Sequence, residues 1–169
     1  MLHLALAAVL AIDPAKSTAK FSVQHVFVER VAGTMPIESG SIDLPDGSLV
    51  PTSVSAVLDP ARIWTDEPDR NAALESPDFF DVKKYPTITF VSTKITPNAA
   101  GFAVEGDLTI HGVMLPETLL VTATGTPQRP AYHATMEIAD RHAFMAAHAR
   151  LDPVIGNAVD ITLDIVTKP

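Results

Sequence analysis

Alternation of apolar and polar residues with a period of two runs through most of this chain. Over residues 18–28, Ala19, Phe21, Val23, His25 and Phe27 share one face while Lys20, Ser22 and Gln24 share the other. That is the pattern of a strand with one apolar side. It recurs over 34–44 (Gly40, Ile42 and Leu44 in phase), 52–59 (Val54, Ala56, Leu58), 87–95 (Ile88, Phe90, Ser92) and 101–110 (Phe102, Val104, Leu108, Ile110). Three more runs follow at 116–124 (Leu119, Val121, Ala123), 132–139 (Tyr132, Ala134, Met136, Ile138) and 157–167 (Val159, Ile161, Leu163, Ile165). Gly33, Pro45-Asp46-Gly47, Pro97-Asn98, His111-Gly112 and the pair Pro127 and Pro130 separate them as turn residues.

Eight strands joined mostly by short turns predict an all-β antiparallel meander. A sheet with one apolar face must pack on a second layer or curl onto itself. Eight strands suffice for a closed barrel with room for one small ligand. Several segments approach eleven residues, which makes such a barrel roughly 35 Å tall. Periodicity leaves open whether its interior holds a long, thin guest or its own side chains.

Two stretches break the alternation. The connection from Asp59 to Tyr85 is long for a compact domain, and such a segment is either a functional lid or carries structure of its own. Thr65, Asp66, Glu67 and Pro68 read as a helix start, giving a turn or two of helix over 69–75 between the third and fourth strands. Ser76–Asp81 then brings two adjacent phenylalanines before Tyr85-Pro86 restores the strand pattern. The second irregular stretch is Asp140–Gly156.

Composition narrows the function classes. With 169 residues the chain suits one domain with a sizeable core. The 14 prolines between short apolar runs favour strands and turns over a helical bundle. A formal net charge of -8 without a Lys/Arg cluster argues against a nucleic-acid partner. Cysteine is absent, which removes disulfides, thiolate nucleophiles and thiolate metal sites. His142 and His148 lack a carboxylate at metal-ligand spacing, and no glycine pattern of a nucleophile elbow accompanies the histidines.

The run Leu2–Ala11 is apolar apart from His3 and ends in small residues. It is too short to span a bilayer and reads as the apolar region of a secretory signal over residues 1–11, cleaved after Ala11 or, as a second option, after Ala7. The other reading is a buried first strand or helix. On the signal reading the domain occupies 12–169.

Several segments resemble the YceI-like family of bacterial lipocalin-like, polyisoprenoid-binding proteins. Ile12-Asp13-Pro14-Ala15 with Ser17, Phe21 and His25 is similar to the family's opening strand, and Gly33, Gly40 and Ile42 to its second. Closer still are Leu74, Ser76, Asp78-Phe79-Phe80-Asp81, Tyr85-Pro86, Ile88-Thr89-Phe90 and Ser92. Gly106-Asp107-Leu108-Thr109-Ile110-His111-Gly112-Val113 is a second long match, and Arg141 with Phe144 resembles the motif before the last strand. Met35, Glu29 and Met145 depart from the family's usual residues.

The resemblance implies a periplasmic or secreted eight-stranded lipocalin-like barrel. It would hold a long-chain isoprenoid lipid, such as a quinone or polyprenyl phosphate, without catalysis, metal or cofactor. The lining it implies is Phe21, Val23, His25, Phe27, Ile42, Phe80, Ile88, Phe90, Phe102, Val104, Leu108, Leu119, Val121, Met136, Ile138, Ile161 and Leu163. Two alternatives stay open: an enzyme acting on an isoprenoid or related apolar substrate, and a filled structural barrel. His25 is either a satisfied core histidine or a polar anchor for the lipid headgroup. Phe79 and Phe80 are core plugs or part of a gate, and His111 is a turn residue. An exposed edge or the barrel mouth could pair two copies into a homodimer.

Overall fold

The alternating segments form one antiparallel sheet in the computed structural model, which describes residues 7–25, 30–145 and 155–169. In chain order the strands are β1 (Ala7–Ala11), β2 (Thr18–His25), β3 (Val31–Thr34), β4 (Ile37–Pro45) and β5 (Ser53–Leu58), then β6 (Ile88–Pro97), β7 (Phe102–Ile110), β8 (Val113–Thr126), β9 (Arg129–Ile138) and β10 (Ile155–Val166). From β5 through β10 each strand pairs with the next, and β10 pairs back onto β2 from Ile155↔His25 to Asp164↔Thr18. That last ladder closes the meander into a barrel.

Ten strands stand where the alternation predicts eight, for two local reasons. The segment expected as one strand over 34–44 is bent into β3 and β4, with β3 on β2 and β4 on β5. Met35 and Pro36 make the bend, because proline has no N–H to give the ladder. The other addition is β1, at residues read from the sequence as the end of a secretory signal, which pairs antiparallel with β4 from Ala7↔Pro45 to Ala11↔Ser41. Beyond β1 the chain fills the seam between β4 and β10. The Ile12 N–H donates to the Gly40 carbonyl at 3.0 Å and the Asp13 N–H to the Val166 carbonyl at 2.8 Å. Phe27, at the end of the first expected strand, lies outside the described residues.

The long connection has structure of its own. Its helix α1 (Pro68–Glu75) starts where the capping signal puts it, with Pro68 in the first turn and the Glu67 carboxylate accepting from the Asp69 N–H. Single-turn 3₁₀ segments occupy Pro60–Arg62 and Arg141–Ala143.

Register defines two ends. At one, Leu44, Phe102 and Pro130 are fully buried and pack the barrel shut. At the other lie His25, Ile138, Ile110 and Ile88, with α1 and the segment after it. Close packing of aromatic rings onto glycine shapes the wall between. A Cβ on Gly106 would overlap the Phe90 ring and stand 2.6 Å from the Val91 carbonyl oxygen, and Gly33 accommodates Phe21 in the same way. Gly106→Ala is therefore expected to destabilise the fold by about 1–3 kcal/mol through overpacking. Urea unfolding checks this as a lower midpoint with an unchanged slope.

Candidate functional site

Because side chains on a strand point alternately to its two faces, the apolar phase of every barrel strand converges on the axis. The inward set does not fill the interior: it encloses a cavity of ≈620 Å³. That volume falls in the range of about 300–1,000 Å³ typical of small-molecule sites.

Of the residues expected to line it, Phe21, Val23 and His25 project from β2, Ile42 from β4, and Ile88 and Phe90 from β6. Phe102, Val104 and Leu108 come from β7, Leu119 and Val121 from β8, Met136 and Ile138 from β9, and Ile161 and Leu163 from β10. Phe80 reaches the cavity from the segment after α1. Phe27 cannot be placed, lying outside the described residues. Tyr132, Ala134, Val159 and Ile165 also line the cavity and were legible from the same phase. Met35, Ile63, Phe144 and Met145 line it too, but they sit in a bend, a loop and a 3₁₀ turn, where no period marks them.

The end near α1 is built differently from the walls. Ala73 and Leu74 of the helix, with Phe79 and Phe80 beyond it, face the cavity beside Asp69, Arg70 and Arg141. The helix is tied down by a buried polar contact: the Thr65 N–H and hydroxyl both donate to Asn71 Oδ1, at 2.9 and 2.7 Å. Arg70 Nη1 donates to the Thr65 carbonyl at 3.2 Å. Asp66 and Asp81, just outside this segment, both have left-handed φ (64° and 47°), a conformation aspartate tolerates better than most residues. Buried Arg141 donates from Nε to the Gly156 carbonyl at 3.1 Å.

Polar atoms are sparse in the interior. The buried Nδ1 of His25, at the α1 end, has no hydrogen-bond partner, and neither has the buried Tyr132 hydroxyl at the shut end. Burial pushes the Tyr132 phenol up to about 12. His111 is not part of the site. It holds a left-handed φ of 52° in the β7–β8 turn, with its ring 4.6 Å from that of Tyr85, as befits a turn residue. Among the described residues no three His, Cys, Asp or Glu side chains are grouped to hold a metal ion. This arrangement can take up an elongated apolar molecule along the barrel axis, with polar contacts at the α1 end.

Comparison with known proteins agrees with that geometry. A family model described as YceI-like domain matches residues 10–167. A UPF0312 protein of Yersinia enterocolitica is 31% identical over 120 residues, which cover 70% of this chain and 62% of that protein. The chain thus spans somewhat less than two thirds of that relative's length. Among solved structures, Burkholderia cenocepacia BcnA superposes with a TM-score of 0.74 at 24% identity, covering 93% of this chain and 99% of that one. A polyisoprenoid binding domain from Saccharophagus degradans, implicated in plant cell wall breakdown, gives a TM-score of 0.68 at 16% identity over 96% of this chain and 99% of its own. These two structures share the fold.

Burial of Tyr132 has a measurable consequence. With its phenol raised from 10.0 to about 12, the folded protein holds that proton more tightly than the unfolded chain. Stability is therefore complete below pH 10 and falls as pH rises towards 12, by about 2 kcal/mol from this group. Tyr132→Phe is expected to abolish that share of the alkaline loss, measured as the difference between wild-type and variant urea midpoints across this window.

Proposed function

The chain belongs to the YceI-like domain family, and from that membership we propose that it binds a long-chain isoprenoid lipid in the barrel interior, as a carrier, store or sensor and not as an enzyme. The observation that carries this reading is the ≈620 Å³ cavity walled by the inward apolar phase of the strands. At interior packing density a five-carbon isoprene unit fills about 110 Å³, so the cavity suits a chain of roughly five or six units. Each buried unit contributes about 4 kcal/mol gross, at about 0.8 kcal/mol per carbon group. A few units then exceed the several kcal/mol lost in ordering both partners, and no covalent step is required.

Polarity favours one orientation. The tail lies towards the shut end, where Phe102, Val104 and Leu119 are buried. The headgroup stays at the α1 end, beside His25, Arg70 and Arg141. A quinone carbonyl or a prenyl phosphate would meet donors there. The apolar run at Leu2–Ala11 supports a periplasmic or secreted location for this binding.

Mass spectrometry of an organic extract of protein purified from its native host tests the reading. About one equivalent of a long-chain isoprenoid is expected. A folded protein that carries none and takes up none from added isoprenoids would sink the proposal, and a turnover product would favour catalysis. His25→Phe tests the headgroup contact. It is expected to alter the preference among ligands that share a tail and differ in head, by about tenfold for a lost hydrogen bond to a polar head. An unchanged ranking removes His25 from the site.

A further inference from the structure

Two aromatic rings stand at the shut end of the cavity. Phe102 on β7 and Tyr132 on β9 both line the cavity, at 2% and 7% exposure, with ring centroids 6.1 Å apart and planes at 81°. Their neighbours are aliphatic: Phe102 stands opposite Val121, and Tyr132 opposite Ala123 on one side and Ile165 on the other. Below them Leu44 and Pro130 are fully buried and do not line the cavity. A chain inserted from the α1 end meets this edge-to-face pair deep in the cavity, beside Ile12 and Pro51, which also line it.

We infer that the Phe102–Tyr132 pair is a ruler, fixing the longest isoprenoid chain the barrel can bury. The inference rests on the isoprenoid reading above and adds a length class to it.

The chemistry of Tyr132 fits a role for the ring and not for its hydroxyl. The hydroxyl is buried without a hydrogen-bond partner, which opposes folding and holds nothing in place. What the residue supplies is an aromatic body packed against Phe102, a rigid stop with few rotamers. The wall just above is small: Ala134, two residues along β9, lines the cavity between Val121 and Leu163. Two strand residues advance about 6.8 Å, a rise comparable with one isoprene unit. A large side chain at Ala134 would raise the floor by that step, and a small one at Tyr132 or Phe102 would lower it.

The test measures dissociation constants of all-trans prenols from three to ten isoprene units. Proteins compared are the wild type, Tyr132→Phe, Tyr132→Ala, Phe102→Ala and Ala134→Phe. In the wild type, affinity is expected to climb with each added unit and then level off where the floor is reached. Tyr132→Ala and Phe102→Ala move that break upward by about one unit, improving the first chain beyond it by about tenfold. Ala134→Phe moves it downward, and Tyr132→Phe leaves it in place while raising thermal stability. Opposite shifts from the two kinds of variant support the ruler, even if one alanine variant folds poorly. A break that stays put in folded Ala134→Phe and in either folded alanine variant overturns it, leaving isoprenoid binding intact. Failure of the wild type to bind any prenol overturns both.

Discussion

The ladder between β2 and β10 is the interaction on which the rest of the structure depends. Without it the meander is an open sheet with one apolar face exposed, and that face has nothing else to cover it: α1 is eight residues long and sits only at one end. With it, every inward residue faces another across the axis, and both edges disappear along that ladder. Closure also fixes the size of the interior. Eight barrel positions around the axis, with β3 and β4 sharing one, leave a space that Val, Ile, Leu and a few Phe side chains cannot fill. The cavity is thus a result of strand number and residue size together.

Closure has its own local cost in regularity. The strand that begins on β2 must end on β5, and it does so by bending at Met35-Pro36. That bend opens a seam between β4 and β10 near the shut end. Ile12 and Asp13 fill it, and the Lys168 N–H donates to the Ala11 carbonyl at 2.8 Å on the other side. The same residues also bury Ile12 at 5% exposure against the core. Seam and floor are therefore one packed unit, built from both ends of the described chain.

Much of this was legible in the sequence, for a physical reason. A strand with one buried face must alternate, so the walls of the cavity could be read off as Phe90, Val104, Leu119 or Ile161 without knowing how the strands pair. The helix start at Glu67-Pro68 was equally readable, because a cap and an N-terminal proline are local signals. What escaped was whatever depends on tertiary position alone. Residues 7–11 carry no alternation of their own, so nothing local to them shows that they pair with β4. Ile63 and Phe144 lie in irregular backbone, and nothing in their neighbours signals that they reach the cavity. The phase did include Tyr132, but no pattern could show that its hydroxyl is left without a partner.

The two ends of the cavity are built on different physical terms. The shut end is rigid, with aromatic rings on central strands whose backbone is bonded on both sides. The α1 end is held by a few specific contacts: Asn71 Oδ1 on Thr65, and Arg70 on the Thr65 carbonyl. Left-handed backbone at Asp66 and Asp81 brackets this segment, whose Leu74, Phe79 and Phe80 cover the interior. Local stability follows the same order, since regions with few buried apolar contacts open at lower free energy than the central strands of a sheet. An apolar chain cannot pass between hydrogen-bonded strands without breaking the ladder. The remaining route runs past α1, where Asn71 and Arg70 tie the cover to Thr65, and not through the floor. The depth of the cavity and access to it are in this way set by different residues, so that either can change without disturbing the barrel that both depend on.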